Sequence, residues 1–214
     1  MHRRIALFLL MTLLAAPLAA QTTTAQATGD WRVRLDQSQN AQDPDDAPDI
    51  KFMTMANGIH VVGGPAGVYW KPNMAAKGNF TLRGNFTLVR PSSHPNYYGL
   101  IFAGSNLDAA NQSYVYFLVA QDGTYIIKRR NGAQVTDIRG ETMHAAIRRP
   151  TGAGGAQNNL EVRVAGDTIS YVINGQVVHS TPKSGETAMT DGLVGARINH
   201  VTEVMVDGLA VQQN

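Results

Sequence analysis

The stretch GNFTLRGNFTLVR at residues 78–90 decides the fold class of this chain. Its four large apolar side chains all fall on even positions, so a two-residue period places them on one face of a β-strand: Phe80, Leu82, Phe86 and Leu88. The motif GNFTL occurs twice at an even spacing, so both copies present their apolar residues to the same side. The stretch therefore predicts one long strand, Phe80–Arg90, with one buried face.

Tight turns indicate that neighbouring strands run antiparallel. Asn174-Gly175 lies between two apolar stretches and is typical of a type I′ hairpin, in which both central residues need positive φ. Similar short connections occur at Gly166-Asp167 and at Gln121-Asp122-Gly123. Connections this short can join only antiparallel neighbours.

The chain from residue 50 onward alternates short apolar stretches with Gly, Asn, Asp and Pro, which predicts strands throughout. No segment of helical length has a convincing apolar stripe, although Ser105–Asn111 is compatible with one helical turn. We therefore predict an all-β, two-sheet antiparallel β-sandwich of the jelly-roll type, with residues 30–214 as its single domain. The predicted strands are Lys51–Met55, Ile59–Val62, Val68–Lys71, Phe80–Arg90, Tyr97–Ala103, Ser113–Ala120, Thr124–Arg130, His144–Arg149, Leu160–Ala165, Thr168–Ile173, Gln176–Ser180, Gly192–Ile198 and Thr202–Val211.

The N-terminus has the layout of a secretory signal peptide. Basic Arg3 and Arg4 precede an apolar stretch, and small residues stand before Gln21. The apolar run is well short of the ~20 residues that span a bilayer, which disfavours an uncleaved anchor. We predict a signal peptide at residues 1–20, a flexible tail at 21–29, and a periplasmic or extracellular protein that does not associate with the membrane after cleavage.

Composition excludes several classes of site. The chain has no cysteine, so disulfides, thiol nucleophiles and iron–sulfur clusters are excluded. Arg3 and Arg4 account for the net charge of +2, so the processed chain is formally neutral and bulk charge gives no case for nucleic acid. Local hydrolase, nucleotide-binding and zinc-protease motifs are absent, and no predicted strand carries two carboxylates at i and i+2. We therefore assign no catalytic residue and no metal ligand.

A polar loop, Asp43–Asp49, carries four aspartates around two prolines. Its oxygen atoms could bind Ca²⁺, but it lacks the glycine turn and the spacing of an EF-hand loop. A solvated linker without a cofactor is our preferred interpretation, and a Ca²⁺ site is the alternative.

Aromatic and arginine side chains are the candidate ligand-binding residues. Tyr114 and Tyr116 share one face of their predicted strand, and we expect Arg129 of the next strand beside them on an exposed face. Tyr97 follows a proline-rich loop and Trp70 ends an earlier strand. Such rings suit the apolar C–H face of a sugar, and arginine can bind its hydroxyls. The alternative is that these rings only cover the sheet or fill the core.

Several motifs together resemble the concanavalin-A-like lectin/glucanase superfamily, and are especially similar to the secreted bacterial 3-keto-disaccharide hydrolase domain family. In that superfamily the sandwich serves sugar binding, glycan hydrolysis or scaffolding, so the resemblance implies a glycan or small saccharide as partner. The E-x-D-x-x-E strand of its bacterial glucanases is not present here. The similar stretches are NGIHVVGG (57–64), VYWK (68–71), GNFTLRGNFTL (78–88), NLEVRVAGDTISYVINGQVV (159–178), DGLVGAR (191–197) and VMVDGLAV (204–211).

Three functions are consistent with these observations. The first is an exported carbohydrate-binding or carbohydrate-associated module without a catalytic motif. The second is a glycoside hydrolase of the 3-keto-disaccharide type, whose carboxylates would converge from separate strands. The third is a structural adhesion module of the cell envelope. The missing catalytic motifs favour the first.

Signal cleavage gives the first testable prediction. Exported protein should begin near Gln21, because the apolar run is too short to anchor the chain. Intact-mass spectrometry of secreted material measures this directly. Membrane-bound protein that retains Met1–Ala20 would contradict it.

Overall fold

The computed structural model describes residues 30–36, 51–93, 95–152, 154–200 and 202–214. The predicted signal peptide, the tail at 21–29 and the loop Asp43–Asp49 lie outside the described residues. Over the described ranges the chain forms strands joined by turns and one short 3₁₀ turn, Gly185–Thr187. The strands are β1 Arg32–Leu35, β2 Lys51–Met55, β3 Gly58–Val62, β4 Gly67–Ala76, β5 Phe80–Arg90, β6 Tyr98–Ser105, β7 Ser113–Val119, β8 Thr124–Asn131, β9 Gln134–Met143, β10 Ala156–Ala165, β11 Thr168–Ile173, β12 Gln176–Pro182, β13 Gly192–Ile198 and β14 Glu203–Gln213.

The strands form two seven-stranded antiparallel sheets, which confirms the predicted sandwich. Sheet A has the order β1-β4-β13-β6-β7-β8-β9, and sheet B has the order β12-β11-β10-β5-β14-β3-β2. β1 lies in sheet A and β2 in sheet B, and the chain crosses between the sheets again at β3–β4, β4–β5, β5–β6, β9–β10, β12–β13 and β13–β14. Two runs of consecutive strands, β6 to β9 and β10 to β12, form simple meanders.

The long strand β5 lies at the centre of sheet B, between β10 and β14. Its four apolar residues are 0–1% exposed and face sheet A, as the two-residue period predicted: Phe80, Leu82, Phe86 and Leu88. The core between the sheets also contains Phe117 and Tyr171, whose rings meet edge-on at 5.3 Å between centroids. The inner faces of both sheets therefore form one continuous apolar core.

The predicted hairpin at Asn174-Gly175 is confirmed. Both residues have positive φ, 49° and 84°, as a type I′ turn requires. The Asn174 side chain also fixes the turn: Nδ2 donates to the Ala146 carbonyl at 2.8 Å, and Oδ1 accepts from the Asn159 backbone at 2.9 Å. These two bonds therefore attach the β11–β12 turn to β10 and to the segment that connects β9 with β10.

The strand predicted at His144–Arg149 is wrong, because this segment is a turn. The buried Asn158 side chain bonds both backbone groups of Arg148, at 2.8 and 3.0 Å, and so replaces a partner strand. Ala146 and Ile147 still point into the core, which explains the apolar pattern.

Two strands were not predicted. β9 is an edge strand of sheet A, mostly exposed on both faces, so it lacks the alternation that identifies a half-buried strand. β1 has only four residues and is the other edge of the same sheet. The segment Ser105–Asn111, which was compatible with one helical turn, instead ends β6 and continues as bends and hydrogen-bonded turns.

The buried face of β5 generates a stability prediction. Phe86→Ala should lower the free energy of unfolding by ~3–5 kcal/mol, because it removes a fully buried ring from a packed core. Thr87→Ala, on the opposite and half-exposed face, should cost less than ~1 kcal/mol. Urea denaturation of the two variants measures the difference. Equal costs would place the core on the wrong face of β5.

Candidate functional site

Sheet A buries apolar side chains on both of its faces. In β7, Val115, Phe117 and Val119 point toward sheet B, and the alternate residues form a second apolar cluster on the side turned away from sheet B. We call that side the outer face. The second cluster consists of Val68, Trp70, Ile101, Leu107, Tyr114, Tyr116, Leu118 and Ile126, with Tyr97 and Leu193 packed against it.

The structure brings four of the five predicted ligand-binding residues together in this cluster, but three of them are buried. Trp70, Tyr114 and Tyr116 are only 3%, 0% and 6% exposed. The expectation that these rings lie on an exposed face is therefore wrong. The two tyrosine rings pack against each other at 5.8 Å, and the Arg197 guanidinium lies 5.4 Å from the centre of the Tyr116 ring. Tyr97 is the member that stays partly exposed.

Arg129 lies on the other face of sheet A, so its predicted place beside the tyrosines is wrong. The register pairs Arg129 with the inward-facing Val115, whereas Tyr114 pairs with Arg130. Arg129 donates to the Ser113 hydroxyl at 2.9 Å and to the Glu186 carbonyl at 3.3 Å. Counting outward from the three-residue turn 121–123 would have shown this register, because paired residues share a face.

An ion-pair network, the Arg197 cluster, occupies one end of the outer face; it consists of Arg34, Asp36, Arg130 and Arg197. Arg197 of β13 donates to Asp36 Oδ2 at 2.7 Å, and Arg130 of β8 donates to the same oxygen at 3.2 Å. Arg197 also donates to the Tyr114 hydroxyl at 2.8 Å. Arg34 donates to the Ala109 carbonyl at 3.0 Å. Sequence patterns gave no signal for this cluster, because its members lie on strands far apart in the chain.

The electrostatics of the cluster favour its charged forms. Burial alone would raise the pKa of Asp36, but the nearby guanidiniums of Arg197, Arg130 and Arg34 outweigh it and hold that pKa below its usual value. Burial would lower the pKa of Arg197, but Tyr114, Asp36 and Tyr116 together raise it. The ion pair therefore stays charged although the Arg197 side chain is only 8% exposed.

Two buried polar atoms of this cluster, Asp36 Oδ1 and Arg197 Nε, have no hydrogen-bond partner among the described residues. The same holds for both side-chain amide atoms of Gln112, a residue that is 1% exposed. Gln112 directly precedes β7, and its backbone is bonded to the turns at Ala109 and Gly132. Since buried polar groups are nearly always paired, atoms of this kind are the places where an ordered water or an ion is expected.

A second polar network, the Tyr97 network, lies at the other end of the face; it consists of Tyr97, Asp122, Thr124 and Glu141. The Tyr97 hydroxyl donates to Glu141 Oε2 at 2.8 Å and lies 2.9 Å from Thr124 Oγ1. Thr124 Oγ1 in turn donates to Asp122 Oδ1 at 2.7 Å. Burial first, and then Glu141 and Asp122, raise the pKa of Tyr97 well above its usual value, so its hydroxyl stays neutral.

A groove of about 510 Å³ offers a competing location beside sheet B. Trp31 and Met74 line it together with charged Lys71, Arg83 and Asp207. The Lys71 ammonium lies 5.3 Å from the Trp31 ring centre, and Asp207 accepts from Asn85 at 3.0 Å. Two of its three charged side chains, those of Lys71 and Asp207, are therefore already in contact with protein groups.

No group of three or more His, Asp or Glu side chains able to hold a metal occurs among the described residues. Within the same ranges, no helix is long and apolar enough to cross a membrane.

The Arg197 cluster generates a pH prediction. Asp36→Asn should lower the free energy of unfolding near pH 7 by about 3 kcal/mol, because it weakens a largely buried ion pair. The folded-state pKa of Asp36 is depressed, so its contribution is present above the unfolded value of about 4 and is lost as the pH falls through the folded value. The wild-type and variant unfolding curves should therefore converge in acid.

Asp137→Asn is the matched control for this measurement. Asp137 is 59% exposed and pairs with Lys128 at 3.0 Å, so its replacement should have little effect on stability. Equal losses in the two variants, or a pH-independent loss for Asp36→Asn, would contradict the assignment.

No family model matches this chain, and no curated protein matches it. Among similar solved structures, the carbohydrate-binding module CBM66 from Bacillus subtilis is 12% identical with a TM-score of 0.58, covering 77% of this chain and 92% of that one. A Bacillus subtilis protein of unknown function with a galectin-like fold is 13% identical, with a TM-score of 0.56 and coverages of 86% and 89%. A double-cysteine variant of alginate lyase A1-II′ is 12% identical, with a TM-score of 0.52 and coverages of 86% and 95%. The chain thus has a galectin-like, concanavalin-A-like β-sandwich fold.

Proposed function

We propose that this protein is an exported carbohydrate-binding protein that binds a glycan on the outer face of sheet A. The fold supports this, since one similar structure is a carbohydrate-binding module and another is an alginate lyase. Fold alone does not determine function, so the argument depends on the site. The outer face combines a partly exposed tyrosine, Tyr97, with two polar networks, and a sugar site needs both an aromatic surface and polar groups.

The observation that carries the proposal is the position of Tyr97. Among the described aromatic residues of the outer face, it alone is partly exposed. Its hydroxyl is held between Glu141 and Thr124, so the ring is oriented before any ligand arrives. A preorganised ring beside a carboxylate can stack on the C–H face of a sugar while Glu141 accepts from a hydroxyl.

Tyr97→Ala therefore provides the test. A shallow protein–glycan contact should have a Kd of roughly 10 µM to 1 mM. Removing the ring should weaken binding about tenfold or more, because the stacking and the hydrogen bonds that it positions are lost together. A glycan array on the processed protein, followed by titration calorimetry, measures both values.

Arg129→Ala is the matched control, because Arg129 lies on the opposite face of the same sheet. It should leave glycan affinity unchanged. Arg83→Ala tests the competing groove beside sheet B. Binding that survives Tyr97→Ala but fails in Arg83→Ala would move the site to the groove and overturn this proposal.

Hydrolysis of the 3-keto-disaccharide type is the second candidate, and the Tyr97 network is the observation that favours it. Asp122 and Glu141, from a turn and from β9, are joined through the hydroxyls of Thr124 and Tyr97. Two carboxylates and two hydroxyls thus lie within hydrogen-bond reach of one another, and general acid–base catalysis uses side chains of these types.

Glu141→Gln distinguishes the two candidates. Catalysis predicts measurable turnover of a 3-keto-disaccharide by the wild type and a loss of about 100-fold or more in the variant. A pure binding protein predicts no turnover by either form and only a modest change in affinity. Chromatography of the reaction products provides the measurement.

A further inference from the structure

We infer that the glycan is acidic: the outer face of sheet A selects a saccharide that carries a carboxylate, and it binds that carboxylate at the Arg197 cluster. This inference rests on the proposed function, because it names the ligand class of the same face. It adds a selectivity for negatively charged saccharides that neither the fold nor the aromatic residues of the outer face imply.

The Arg197 cluster carries a surplus of positive charge. Among the described residues, Arg34, Arg130 and Arg197 surround one carboxylate, Asp36, so the cluster has a formal charge of +2. Lys128 lies nearby on the same face, but it already has its own exposed partner, Asp137. Cations are therefore concentrated beside an apolar surface, where surplus charge is costly unless something balances it.

The surplus charge is partly withdrawn from water. The side chains of Arg197 and Arg130 are only 8% and 20% exposed, and that of Asp36 is 15% exposed. Electrostatic attraction to an incoming anion is stronger and less screened in such surroundings than at an open surface.

The geometry of the cluster already suits a carboxylate. Two guanidiniums, from β13 and from β8, converge on one carboxylate oxygen, Asp36 Oδ2. Guanidiniums are planar forks that match a carboxylate, and Arg130 and Arg34, each only partly buried, keep further donors for a second one. The cluster thus already shows, with the chain's own Asp36, that it can hold this chemical group.

The two ends of the face also fix an orientation. The Arg197 cluster is cationic, whereas Glu141 and Asp122 make the Tyr97 network acidic. A saccharide carboxylate is attracted to the first end and repelled from the second. The ligand should therefore place its carboxylate near Arg130 and its hydroxyls near Tyr97 and Glu141.

The test compares oligosaccharides that differ only in charge. Oligogalacturonates, oligoglucuronates and oligomannuronates are titrated against the processed protein beside the carboxyl-reduced form of each, in which CH₂OH replaces the carboxylate. At least one uronate should bind about tenfold or more tightly than its reduced form, since a charged hydrogen bond is lost on reduction. Its affinity should also fall as salt rises.

Two variants locate the effect. Arg130→Gln should abolish the preference for the uronate over its reduced form. Arg163→Gln removes the same charge from an exposed position on sheet B, where Arg163 pairs with Glu161, and should keep the preference. Since the wild-type comparison uses no variant, it remains decisive even if Arg130→Gln unfolds.

The outcomes separate this inference from the proposed function. Equal affinity for both forms, or binding of neutral glycans alone, overturns the acidic-ligand inference and leaves the proposed function intact. No binding of any glycan, acidic or neutral, overturns both. A preference that survives in Arg130→Gln but disappears in Arg163→Gln also overturns the inference, because it moves the carboxylate away from the Arg197 cluster.

Discussion

The burial of sheet A on both faces is the constraint on which the rest of the structure depends. In β7 the run from Tyr114 to Val119 is buried throughout, with alternate side chains pointing to opposite sides. An antiparallel sheet in a sandwich commonly turns one face to water. Because the outer face of sheet A is largely apolar, any charge there must find a partner inside the protein or serve a ligand.

Arg197 shows how the fold meets that constraint. Its partner Asp36 is 161 residues away in sequence and directly follows the edge strand β1. The ion pair therefore helps to hold that edge strand against sheet A. A buried ion pair contributes little more to stability than apolar residues of similar size. A ligand-binding role gives a physical reason for placing this charge beside the aromatic rings.

The same face links stability to function. Tyr114 and Tyr116 orient Arg197 through a hydrogen bond and a cation–π contact, and so support the cluster without facing a ligand themselves. Tyr97 differs from them, because it is partly exposed and its hydroxyl is held by Thr124 and Glu141. The buried aromatic residues of the outer face therefore contact both Arg197 and the partly exposed Tyr97.

The sequence by itself determined the architecture, because alternation and turn chemistry act locally. The β5 period identified the buried side chains of β5, and Asn174-Gly175 identified a hairpin. Strand β9 escaped prediction because it is an edge strand with no fully buried residue, so its sequence lacks a clear apolar alternation. The tertiary structure alone decided which aromatic rings are covered and which face Arg129 joins, since both depend on cross-strand register and on packing between distant segments. It also brought together Asp36, which directly follows β1, Arg130 of β8 and Arg197 of β13. No local sequence pattern connects these three positions.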